Sequence, residues 1–154
     1  MPVTRTPGPA KAQLEALTQS LDGVEVRAGW FETAKYPDGT PVAYVAAIQE
    51  FGVPPKNIPA RSFMRPTVAA KSNEWNAKLR SLLKRATDGG MALEALGAVV
   101  AGDFREAIIN VNEPPLAPAT LRARRRRGNA STKPLSDTRV LMQTLTHHVS
   151  RGTT

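Results

Sequence analysis

The sequence predicts an α+β fold in which a small antiparallel sheet packs with two long antiparallel helices, followed by a loop-rich C-terminal third. Three observations lead there. Two long stretches, Pro66 to Ala86 and Met91 to Val111, repeat apolar residues at helical spacing and are separated by the break Asp88-Gly89-Gly90. Val24 to Trp30 alternates apolar with polar or small residues, as a strand with one face inward does. From Asn112 onward the character changes, and prolines and arginines dominate.

The elements follow in order. Residues 1 to 8 contain Pro2, Pro7 and Gly8 and read as a flexible arm. Leu14, Leu17 and Leu21 mark one face of a helix over Pro9 to Leu21, which Asp22-Gly23 ends. After the strand, Tyr36-Pro37-Asp38-Gly39-Thr40-Pro41 is a turn, with proline setting φ and glycine taking a positive φ. Val42 to Phe51 is the next helix, stopped by Gly52, and a loop over Val53 to Pro59 leads to Phe63-Met64-Arg65-Pro66. Pro66 is placed as the first residue of the first long helix, where its missing N–H is no loss. That helix presents Val68, Trp75, Leu79, Leu82, Leu83 and Ala86, and the second buries Leu93, Leu96, Val100, Phe104, Ala107 and Ile108. Residues 112 to 133 read as an extended basic segment. Asp137 or Thr138 caps a last short helix with Val140, Leu141 and Leu145, and His147 to Ser150 forms a short strand.

With 154 residues the chain is the size of one domain, able to bury roughly 70% of its unfolded surface without a metal or disulfide. There is no cysteine, which excludes thiol nucleophiles and thiolate metal sites. No run of apolar residues is long enough for a membrane span. The net charge of +8 is concentrated: Arg122, Arg124, Arg125, Arg126, Arg127 and Lys133 lie in one acid-free stretch, and the rest of the chain carries +2. With Lys56 these are the candidate partner-binding residues, suited to an acidic face of a neighbouring protein or to DNA phosphates; a solvated loop without a partner is the other reading of such a run. No aromatic interleaves with the arginines, so contact with nucleic acid would read backbone charge alone.

The search for chemistry points away from an enzyme. His147 and His148 are adjacent and face opposite sides of a strand, so they do not share a metal. The thirteen acids are scattered, and neither a P-loop nor a nucleophile elbow is present. No catalytic, cofactor-binding or metal-ligating residues are assigned.

Tyr36 to Ala43, then Ala46-Ala47-Ile48-Gln49-Glu50-Phe51-Gly52, then Ile58-Pro59-Ala60-Arg61-Ser62-Phe63-Met64-Arg65-Pro66-Thr67, resemble the neck or tail-completion proteins of tailed bacteriophages. That family couples an apolar helix ending in Glu-Phe-Gly to a loop ending in Pro-Phe-x-Arg-Pro, with a C-terminal Pro-Leu-x-Asp-Thr-Gly-x-Leu block. Here the block reads Pro134-Leu135-Ser136-Asp137-Thr138-Arg139-Val140-Leu141. The resemblance covers about Tyr36 to Arg151, and departs from the pattern at Ser62, usually proline, and Arg139, usually glycine. It implies a structural virion protein of the head–tail junction, assembled in the host cytoplasm as a homo-oligomeric, hexameric ring. Its implied partners are tail tube, tail terminator and head connector or stopper proteins, with non-specific contact to packaged DNA. A tail terminator capping the tube is the rival within the class. A small nucleic-acid-binding protein using Arg122 to Arg127 is the rival outside it.

An arginine at a helix N-terminus opposes the helix dipole and calls for a partner. Glu50 is the expected one for Arg65. With Phe51 anchored in the core, Gly52 turning the chain, and Phe63 and Pro66 leading into the helix, the pair forms an expected structural clasp.

Overall fold

A computed structural model describes residues 8–135 and 139–152. Helix α1 spans Pro9–Leu21, strand β1 Val24–Gly29, and helix α2 Val42–Phe51. A single 3-10 turn, Pro54–Lys56, precedes helix α3, Met64–Leu83, and helix α4, Gly89–Asn110. Helix α5 covers Pro118–Arg126, helix α6 Val140–Gln143 and strand β2 Thr146–Arg151. The architecture is α+β with a loop-rich C-terminal region, as the sequence predicts.

The two strands pair antiparallel, with Val24 opposite Arg151 and Gly29 opposite Thr146. A two-stranded ribbon is marginal by itself and needs a helix against it. Helix α4 supplies that cover, and Gly97 lets it approach. A Cβ at Gly97 would lie 2.6 Å from His147 Cδ2 and 2.8 Å from Val26 Cγ2. On its other sides α4 meets α3 and α1. Its buried residues Ala92, Leu93, Leu96, Ala101, Phe104 and Ile108 recur at helical spacing, which makes it the central element.

Helices α3 and α4 pack against each other across a connection of only five residues, 84–88, which makes them antiparallel neighbours. Trp75 stands edge-on to Phe104 at 5.8 Å. Asp103 accepts hydrogen bonds from Lys71 Nζ at 3.0 Å and Trp75 Nε1 at 2.6 Å. That contact, first through the hydrogen bond to Asp103, holds the Lys71 ammonium above its ordinary range. The remaining core joins Val42, Ala46, Phe63, Phe104, Ile108, Leu141 and Leu145. Trp30 closes it, edge-on to Phe63 at 5.8 Å and donating from Nε1 to the Leu141 carbonyl.

Three expectations are corrected. Helix α3 begins at Met64, two residues before Pro66, because Glu50 caps its first N–H groups from outside the helix. Pro66 is then the third helical residue, still within the turn whose N–H groups lack intrahelical partners. The segment 112–133 is not extended throughout. Pro118 starts a nine-residue helix, and the alanine, leucine and arginines after it are good helix formers. Helix α6 has Arg139 as its N-cap residue, in the left-handed region at φ 60°. The expected caps Asp137 and Thr138 lie outside the described residues, as does most of the arm at 1–8.

Candidate functional site

The joint between α2 and α3 is built around one buried carboxylate. Val42, Ala46 and Glu50, four residues apart, form the inward face of α2, and Glu50 is 3% exposed. Its Oε2 accepts from the Phe63 N–H at 2.8 Å and the Met64 N–H at 2.9 Å. Its Oε1 accepts from the Arg65 N–H at 3.1 Å and Arg65 Nε at 2.9 Å. Burial by itself would raise this carboxyl. The N–H groups of Met64, Phe63 and Arg65, and then the Arg65 guanidinium, outweigh burial and hold it below the ordinary carboxylate range. A carboxylate at the positive end of a twenty-residue helix is also favoured by the helix dipole.

The other clasp residues are placed as follows. Arg65 reaches back to the Glu50 carbonyl through Nη2, and Ser62 Oγ bridges the two, donating to that carbonyl and accepting from Arg65. Gly52 ends α2 at φ 71°, and a Cβ there would lie 2.6 Å from the Ala60 nitrogen, so only glycine fits. Phe63 is fully buried. Phe51 is a correction: expected in the core, it is 62% exposed, with the Arg65 guanidinium 4.7 Å above its ring. It follows Glu50 directly, so the inward phase of α2 turns it outward.

In the basic segment, Arg122, Arg125, Arg126 and Arg127 are exposed on or at the end of α5, as are Lys133 and, in the earlier loop, Lys56. Arg124 is the exception at 5% exposed, and its Nη1 donates to the carbonyls of Ser131 and Lys133. It braces the chain after α5 from within, a role that excludes it from the outward-facing basic surface. The signal was helical phase: Arg124 lies three residues after the half-buried Leu121.

Sequence reasoning gave Arg61 no role, yet it is 6% exposed. Its Nε donates to the Pro114 carbonyl at 2.9 Å and its Nη2 to the Pro115 carbonyl at 3.0 Å. Burial, and next the nearby Arg124 charge, pull its pKa below the ordinary arginine value. Arg61 and Arg124 line one cleft of about 810 Å³ between the Tyr36–Thr40 turn, α2, the Asn57–Arg61 loop and the start of α5.

Large apolar side chains are exposed in groups on α2 and α4, and singly on α1 at Leu14 and on α3 at Val68. Ala43, Tyr44, Ala47 and Phe51 form an outward stripe on α2, with Tyr44 58% exposed. Met91, Ala98, Val99, Gly102 and Ile109 form an outward strip on α4.

His147 packs on Gly97 and pairs Nε2 with Glu94 Oε1 at 2.7 Å, while His148 faces away, against the edge of Phe31. Among the described residues no three His, Cys, Asp or Glu side chains are grouped to hold a metal, and no helix is long and apolar enough to cross a membrane. Comparison with protein-family models, curated proteins and solved structures finds no match.

Proposed function

We propose that this chain is a non-enzymatic structural protein of the tailed-phage head–tail junction, a neck or tail-completion subunit that assembles as a ring. The observation that carries the reading is apolar surface left uncovered on two different elements, the α2 stripe and the α4 strip. A closed ring needs such a pair, because a heterologous interface sets one face of a subunit against a different face of the next.

The clasp serves this role by holding Tyr44 and Phe51 on a rigid helix, since rigid aromatic anchors bind at low entropic cost. The exposed arginines of α5 offer a basic face for an acidic partner surface or the phosphates of packaged DNA. Native mass spectrometry and negative-stain microscopy of the purified chain, alone and with isolated tails, test the proposal. Closed rings are expected, and they are lost when Tyr44→Asp and Phe51→Asp are combined while the circular dichroism spectrum stays unchanged. A chain that remains monomeric in both settings, or a double variant that assembles as well as the parent, refutes it.

A further inference from the structure

The cleft around Arg61 is a second site, independent of the phage assignment; Arg127 at the end of α5 also lines it, while Arg122, Arg125 and Arg126 do not. A buried guanidinium ordinarily has a carboxylate beside it, because an uncompensated charge is costly away from water. Among the described residues Arg61 has none: its Nε and Nη2 are held by two proline carbonyls, and no ion pair to it is formed. The charge acting on it is that of Arg124, which is of like sign. Two bonds to neutral carbonyls fix Nε and Nη2 in place, and they leave the Nη1 donors unused on a guanidinium whose residue lines the cleft.

The walls narrow the chemistry further. Val45, Ile58, Leu116 and Leu141 supply apolar lining, and Gln49 and Thr120 supply hydrogen-bonding groups. Among the described lining residues the acid is Asp38, and its carboxylate is turned to the Thr40 N–H at 2.9 Å rather than to Arg61. A cavity of about 810 Å³ accommodates a few side chains. It does not admit a DNA duplex, whose phosphates cannot reach a residue only 6% exposed. The chain's own arm is a poor occupant, since its one charged side chain, Arg5, is a cation.

We propose that this cleft binds an acidic segment of a partner protein, placing a carboxylate on Arg61 and the adjoining apolar side chains against Ile58, Leu116 and Leu141. The carboxylate completes the fork that the two carbonyls leave half-used, as a preorganised arginine does in bidentate recognition. The apolar contacts select a peptide over a free inorganic anion.

The probe is a fluorescein-labelled decapeptide of alternating Glu and Leu, titrated into the full chain and followed by anisotropy at 0.15 M salt. Three variants each remove one unit of net positive charge: Arg61→Ala and Thr120→Glu within the cleft, and Arg125→Ala outside it. Arg61→Ala and Thr120→Glu are each expected to weaken binding at least tenfold, and Arg125→Ala less than twofold. Thr120 is exposed on α5, so its variant keeps the test valid if Arg61→Ala fails to fold. Absence of peptide binding overturns the proposal. So does equal weakening by all three variants, which marks non-specific attraction to a basic protein. Tighter binding of a labelled 20-base-pair DNA duplex that competes with the peptide and depends on Arg125 also overturns it, in favour of phosphate recognition by α5.

Discussion

Replacing Glu50 by glutamine tests the joint between α2 and α3 with little change of shape. The amide NH2 must take the place of one carboxylate oxygen. It then faces either the Phe63 and Met64 N–H groups or the N–H and Nε of Arg65, donor against donor. A hydrogen bond to a charged group contributes about 1.5–3 kcal/mol, and breaking a buried ion pair costs about 3–5 kcal/mol. The guanidinium side of the pair is largely exposed and therefore screened, so the backbone bonds dominate. Glu50→Gln should cost about 3 kcal/mol, seen as a fall in Tm of about 6–12 °C for a chain of this length. Arg65→Ala, which leaves the three backbone bonds intact, should cost about 1 kcal/mol or less. Urea denaturation followed by circular dichroism measures both. A loss below about 1 kcal/mol for Glu50→Gln, or a larger loss for Arg65→Ala, would mean that the backbone bonds to Glu50 do not hold the joint. The pH dependence gives a second check. The folded-state pKa of Glu50 is depressed, so its contribution is present above the unfolded carboxyl value of about 4.3 and is lost as pH falls through the folded value. The stability gap between parent and Glu50→Gln should close as pH drops below about 4.

Other positions give sharper, smaller tests. Arg139 holds a left-handed conformation at φ 60°, which costs a non-glycine residue about 1–2 kcal/mol, partly offset by the entropy a glycine loses on folding. Arg139→Gly should therefore stabilise by about 0.5–1 kcal/mol in thermal melts, and a destabilised variant would contradict the turn geometry. Gly52→Ala should be severely destabilising, by about 3 kcal/mol or more, since it adds strain at φ 71° to a backbone clash. Asp103→Ala removes the shared acceptor of Lys71 and Trp75 and should cost about 2 kcal/mol, read as a lower urea midpoint.

Much of the chain was legible where the deciding interactions are local. Helices α1 and α2 run over the residues that the leucine spacing and the glycine stops mark out, and the late strand at His147 to Ser150 extends to Thr146–Arg151. The start of α3 was not legible, because its cap comes from a carboxylate fourteen residues before the first helical residue. Phe51 was misplaced by weighing its chemistry above its phase: Val42, Ala46 and Glu50 turn inward, so the residue after Glu50 turns out. In Arg124 to Arg127 four identical side chains stand in a row, and only the helix beginning at Pro118 decides that Arg124 alone is buried. Arg61 carried no signal at all. Its burial depends on carbonyls fifty-three and fifty-four residues away, beyond the reach of any local pattern.

The clasp and the exposed apolar surfaces of α2 and α4 bear on one claim, the proposal that the chain works as part of a ring at the end of a phage tail. Electron microscopy of isolated tails incubated with the purified chain tests it most directly. A ring-shaped density is expected at the head-proximal end of the tube, and it is missing with the Tyr44→Asp, Phe51→Asp double variant. Tails unchanged by the folded parent protein, or density that the double variant produces equally well, would contradict it.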